Sequence, residues 1–244
     1  MFFSAIEKFD IICFLPIELF GWLDFSITNY SLYLWFAFIL IWVWFFWSLW
    51  NTVLPGLNFL FSFFILTFVF DIVVKQIGKK GFIFYPFFLA LFLFILFSNI
   101  LGLVPFSFSP TAHIVLTFFF SIIVWLTALS LGFIENGISF YKFFVPDVPK
   151  ALVPVLVIIE LFSYGMRVFS LAIRLAANIT AGHVLLFTIG GFSVKLMEYN
   201  LFVFLATLIA LSLIILLELG VSALQAYVFV TLSCIYFNDS LNLS

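Results

Sequence analysis

Charged side chains are nearly missing from this chain: nine Lys and Arg and eleven Asp and Glu stand among 244 residues, 8% in all, with a formal net charge of −2. Soluble globular domains draw about 25% of their residues from this set, so a water-soluble fold is excluded. No basic cluster exceeds Lys75, Lys79 and Lys80, which leaves nothing to grip a nucleic-acid backbone. Cys13 and Cys234 lie near opposite ends without CxxC or CxxCH spacing, so neither a redox pair nor covalent haem attachment is signalled. No cofactor and no metal is expected. The first 20 residues carry Glu7, Lys8, Asp10 and Glu18 among apolar residues and lack both the basic start and the small-residue cleavage site of a signal peptide. A retained amino terminus is expected.

What the chain has in excess is apolar side chains, at 66% of residues and a mean hydropathy of +1.36. A membrane-spanning helix takes about 20 mainly apolar residues, and several stretches of that length occur, so an all-α polytopic bundle is favoured over the short alternating segments of a β-barrel. The whole chain, residues 1–244, reads as one membrane domain. The 40 Phe residues fit an AT-rich genome filling lipid-facing positions, a hint of an organelle.

The first span is predicted from about Tyr30 to Trp50, with Trp42, Trp44, Trp47 and Trp50 as an interfacial aromatic belt. A second apolar helix runs from Leu57 to Ile77 and ends at a Gly-Lys-Lys-Gly turn. Thr67, Asp71 and Lys75 follow each other by four on one stripe of it, so it can span or lie on the surface. Phe82 to Leu103 reads as the next span, stopped by the turn from Pro105 to Pro110, and Thr111 to Phe133 as its hairpin partner. Asn99 and His113 flank that turn, and His113 reads as a loop residue. A loop from Glu135 to Lys150 follows, with Pro146, Pro149 and Pro154 marking entry into a long segment that reaches about Gly190. The last helix is predicted from Lys195 to Tyr236. At 1.5 Å per residue, two segments of about 40 residues overrun a ~30 Å hydrocarbon layer. They must tilt, bend or run partly in the membrane plane.

Arg174 is the most informative residue, because a guanidinium inside SLAIRLAANITAGHVLLFTIGG costs roughly 3 kcal/mol to insert and usually marks an ion pathway or a partner charge. Glu160, Arg167 and Arg174 are spaced by seven and Asn178 follows four later, so they share one stripe. His183 lies nine residues beyond Arg174, about 180° around a regular helix. Glu218 and Gln225, again seven apart, share a face of the last helix. Arg cannot relay protons, whereas His and a desolvated Glu can. This suggests Arg174 as fixed charge and His183 with Glu218 as relay. Plainer roles stay open: Arg167 with Glu160 as a structural pair, Asn178 and Gln225 as interhelical hydrogen-bonding groups.

These residues carry a resemblance. SLAIRLAANITAGH, with Glu160 upstream, LELGVSALQAY downstream and SNILGLVPFSFSPTAH between, resembles subunit a of the F-type ATP synthases, the membrane stator facing the rotating ring of c subunits. The resemblance implies five spanning helices plus one surface helix, Leu57 to Ile77, with the last two helices tilted against the ring. It implies Arg174 as stator arginine and Asn178 as its ring-facing neighbour. His183 and Glu218 would line a proton half-channel, Gln225 would lie near the arginine, and Glu160 would belong to an aqueous route. It further implies a multi-pass protein of the mitochondrial inner membrane, of plant, algal or protist type, that is not itself catalytic. Its partners would be the c-ring, other stator subunits, lipid and, indirectly, the F1 head. Lys75, Lys79, Lys80, Lys142 and Lys150 would then share the matrix side and Lys8 and Lys195 the other. Two other classes would leave different marks. A secondary transporter would show two related halves, and none is visible. A haem carrier would use His113 and His183 as axial ligands and show a Soret band.

Overall fold

The computed structural model describes residues 10–16, 18–19, 23–24, 26–50, 57–104, 107–137, 140, 153–197 and 201–241. Most of the loop expected from Glu135 to Lys150, with Pro146, Pro149, Lys142 and Lys150, lies outside the described residues, as do Glu7 and Lys8.

Among the described residues six α-helices follow one another: α1 (Asn29–Trp50), α2 (Leu57–Ile77), α3 (Tyr85–Leu103), α4 (Ile114–Asn136), α5 (Val153–Met197) and α6 (Leu201–Leu241). All six contain a stretch long and apolar enough to cross a bilayer, α2 included. Helices dominate because hydrocarbon offers no partner for a backbone N–H or C=O, so each segment must satisfy its own. The same constraint explains why α5 runs on through Gly190 and Gly191 to Met197, beyond its expected end near Gly190. In water a glycine pair would weaken a helix by about 1 kcal/mol per residue; in lipid an interruption exposes backbone at greater cost. Lys195 thus belongs to the end of α5, and α6 starts at Leu201 and continues past Tyr236 to Leu241. At about 1.5 Å per residue, helices of 45 and 41 residues are roughly twice the length a ~30 Å layer needs.

Two boundaries shift for local reasons. Gly78–Phe84 forms a 3-10 helix, so α3 begins at Tyr85 with Pro86 in its first turn, where the missing N–H costs nothing. Pro110–Ala112 forms a second 3-10 turn, so α4 begins at Ile114. Gly78 (φ 78°) and Gly137 (φ 55°) follow the last residues of α2 and α4 in the left-handed conformation that ends helices.

A small antiparallel element precedes α1: β1 (Cys13–Leu15) pairs with β4 (Ile27–Thr28), and between them β2 (Glu18–Leu19) pairs with β3 (Leu23–Asp24). Its junction with α1 is closely bonded. Asn29 Oδ1 accepts from the Ile12 and Tyr30 amides at 3.1 and 2.8 Å, and its amide donates to the Asp10 carbonyl at 3.0 Å. Thr28 and Ser31 exchange side-chain-to-backbone bonds in the manner of a capping box.

The residues cluster into two compact units. One comprises residues 1–59, 93–113 and 175–226, the other residues 60–92, 114–174 and 227–244. In the second unit, the buried face of α2 is formed by Ile65, Val69, Ile72, Val73 and Ile77, while Asp71 and Lys75 of the expected polar stripe are exposed. Thr67 turns its hydroxyl back to the Phe63 and Phe64 carbonyls, which hides the group without a partner helix. Phe237 of α6 packs among Phe84, Phe87 and Phe88, and Asn136 ties the end of α4 to the Ser240 carbonyl at 2.9 Å.

Candidate functional site

The face of α5 alternates as its spacing predicts. Arg174 and Asn178 are exposed, and His183, half a turn around, is buried at 5% exposure. Glu218 and Gln225 are both buried on α6, on one face with Ser222, Ala226 and Phe229. Five of the polar groups picked from sequence therefore divide between an exposed and a buried environment, as helical periodicity requires.

In the first unit, Asn178 donates from Nδ2 to Gln225 Oε1 at 3.0 Å, so these two amides hold α5 to α6. The Glu218 carboxyl group packs on the α5 backbone at Gly182, the residue before His183. A methyl group at Gly182 would stand 2.7 Å from Glu218 Cδ, a separation no carbon pair tolerates. The imidazole of His183 reaches to α3: its Nε2 lies 3.3 Å from where a Gly102 side chain would begin. Asn99, wholly buried on α3, donates to the Ser222 carbonyl at 3.3 Å, one turn from Glu218. A carboxyl group, an imidazole and three carboxamides thus share one unit, brought there by three helices.

In the second unit, Arg167 bonds Asp239 at 3.4 Å, not Glu160 as the seven-residue spacing allowed. The side chains of a seven-residue pair must span about 10 Å along the axis, whereas α6 brings Asp239 directly alongside. Glu160 is half-buried and lies within electrostatic reach of Asp239. Asp239 had no place in the sequence reading because α6 was expected to end at Tyr236. Arg174 is the last residue of this unit, and its field reaches Tyr236. Among the described residues, no carboxylate lies within ion-pair distance of Arg174. An exposed, always-charged side chain thus stands at the centre of a 45-residue apolar helix, where a charge is most costly to leave uncompensated.

His113 is a loop residue, as its position beside a turn predicted. It follows the 3-10 turn, stacks on Phe108 with centroids 5.1 Å apart, and takes Tyr30 edge-on at 5.5 Å. Burial holds its imidazole below the ordinary value of 6.5. Cys13 is exposed and Cys234 buried, both as free thiols.

A family model described as ATP synthase A chain matches residues 31–238. A protein called ATP synthase subunit a, from Chondrus crispus, is 38% identical over 245 residues, covering 98% of this chain and 96% of the relative. The matched stretch contains Glu160, Arg174, Asn178, His183, Glu218 and Gln225. With six apolar helices and an arginine at the centre of one of them already in place, these matches establish that the chain belongs to the ATP synthase A chain family.

Proposed function

We propose that this chain is the stator subunit that carries protons to and from the c-ring carboxylates of an F-type ATP synthase in the mitochondrial inner membrane. Family membership makes it a multi-pass membrane component of ATP synthase, with a part in proton conduction and not in catalysis. The finer reading rests on one observation above others: Arg174 is exposed, charged and without an acidic partner among the described residues.

A c-subunit carboxylate would be that partner. Protons enter by a half-channel that includes His183 and Glu218, and neutralise the carboxylate so that it can face lipid. When rotation returns the site to the stator, the Arg174 field favours ionisation and the proton leaves by a second route on the matrix side, to which Glu160 belongs. The same positive charge opposes a direct leak between the two routes. Asn178, one turn from Arg174, faces the ring and is positioned by Gln225. Ser170, Ala177 and Ala181 flank Arg174 on the exposed face of α5, and Gly220 and Ala223 are exposed on α6. Small residues let a neighbouring helix approach closely, which suits a surface past which rotor helices slide. In this setting α2 would lie along the membrane surface with Asp71 and Lys75 toward water.

Isolation of the tagged chain from mitochondria tests the assignment. It should bring down a ring of small hairpin proteolipids, other stator subunits and the soluble ATPase head. Recovery of the chain with none of these would contradict it.

A further inference from the structure

The turn between α3 and α4 enters the first unit with its hydroxyls inside. Ser107, Ser109 and Thr111 are buried, the last two at 1% exposure. Ser107 fastens the turn to the end of α3 through the Leu101, Gly102 and Val104 carbonyls. Ser109 stands at the N-cap of the Pro110–Ala112 turn, where a serine hydroxyl ordinarily caps the helix, yet it makes no capping bond. Its hydroxyl instead meets Thr111 Oγ1 at 3.3 Å, where either oxygen can donate. It also projects into the space left by the missing side chain of Gly102. Ser109 Oγ lies 2.6 Å, and His183 Nε2 3.3 Å, from the point where a Gly102 Cβ would sit. Two proton-exchanging groups from different segments thus converge on one gap in α3.

We propose that Thr111 and Ser109 form a hydroxyl relay ending on His183 Nε2, with Gly102 as the gap through which the two meet. The α3–α4 turn then supplies residues to the proton path. The inference rests on His183 being a proton carrier. With His183 in the tautomer protonated on Nδ1, Nε2 takes a proton that Ser109 passes across the gap through one bridging water, and becomes N–H. Ser109 takes the Thr111 proton at the same time, and Thr111 takes one from a protonated water held inside the turn. Each hydroxyl ends as it began, and one positive charge has moved from water to the imidazole. Gly102 is a positioning residue in this scheme, since a side chain there would separate donor from acceptor.

The test is ATP-driven proton uptake by membrane vesicles carrying the complete complex, normalised to assembled complex, for Ser109→Ala, Ser109→Gly, Gly102→Ala and His183→Ala. Ser109→Ala keeps the volume and removes the hydroxyl. It should slow uptake on the order of tenfold, which corresponds to losing one net hydrogen bond in the limiting step. Ser109→Gly leaves room for a water that Thr111 and His183 can hold, so it should retain more uptake than Ser109→Ala. A packing role orders the two variants the other way. No loss with Ser109→Ala, or a loss with Ser109→Gly as large or larger, overturns the relay. Gly102→Ala should match Ser109→Ala; if it fails to assemble, the Ser109 pair decides alone. Normal uptake by His183→Ala would instead overturn the role of His183 on which the relay depends.

Discussion

Asn178 on α5 and Gln225 on α6 are joined by a single amide-to-amide hydrogen bond of 3.0 Å, one helical turn from Arg174. Gln225 is buried at 4% exposure and Asn178 is exposed, so the buried partner orients the exposed one. Gln225→Leu keeps the bulk and deletes the acceptor. It should cost about 1 kcal/mol in stability and slow proton pumping several-fold. Full pumping by an assembled Gln225→Leu complex would show that the orientation of Asn178 is unimportant.

Gly182 carries a prediction of the opposite kind, about something added. Gly182→Ala places a methyl group against the Glu218 carboxyl group and should reduce pumping at least several-fold. Gly165→Ala is the matched control, because nothing lies within 4 Å of a Cβ there. It should leave pumping intact and favour the helix by about 0.5–1 kcal/mol. Equal effects from the two substitutions would remove the steric argument.

The pair formed by Arg167 and Asp239 is part-exposed, at 39% and 29% of the side chains. Removing one partner should destabilise more than removing both, since a lone charge keeps its desolvation cost. Asp239→Asn is expected to lose about 2 kcal/mol, less than a fully buried pair would. The double change Arg167→Gln with Asp239→Asn should restore most of it. Thermal dissociation of the complex reads the difference, and additive losses would exclude coupling.

Acid should loosen the junction held by His113. Burial lowers its pKa from 6.5 in the fold, so the unfolded state binds more protons in the window below that value. Stability contributed by the neutral ring is full above about 6.5 and falls as pH drops toward the folded value. Protection factors of the Ile12 and Tyr30 amides, both bonded to Asn29 beside this cluster, should fall as pH drops below about 6.5 once corrected for the pH dependence of intrinsic exchange. The change should vanish in His113→Phe; a pH dependence that survives there belongs to another group.

These cases mark where a single sequence is readable. Hydropathy located all six helices, because in lipid a segment's length and apolarity decide its state. Periodicity put Arg174 and His183 on opposite sides of α5, Asn178 on the Arg174 stripe, and Glu218 with Gln225 on one face of α6, and family resemblance implied their roles. Relations across elements were not accessible. Asp239 was hidden behind an expected helix end at Tyr236, although Asn238, Asp239 and Ser240 continue α6. Glycine composition gave no sign that Gly182 seats Glu218 or that Gly102 faces His183, because each role is defined by an atom from a distant segment. The β pairing of residues 13–28 escaped because its strands are two or three residues long, too short for alternation to register.

The central claim is that Arg174 acts as a fixed guanidinium facing a rotor carboxylate. ATP-driven proton pumping by the assembled Arg174→Lys complex tests it most directly, because lysine keeps a positive charge but has a different reach and can lose its proton when desolvated. Pumping should be abolished while the complex still assembles. Pumping at the unmodified rate would contradict it.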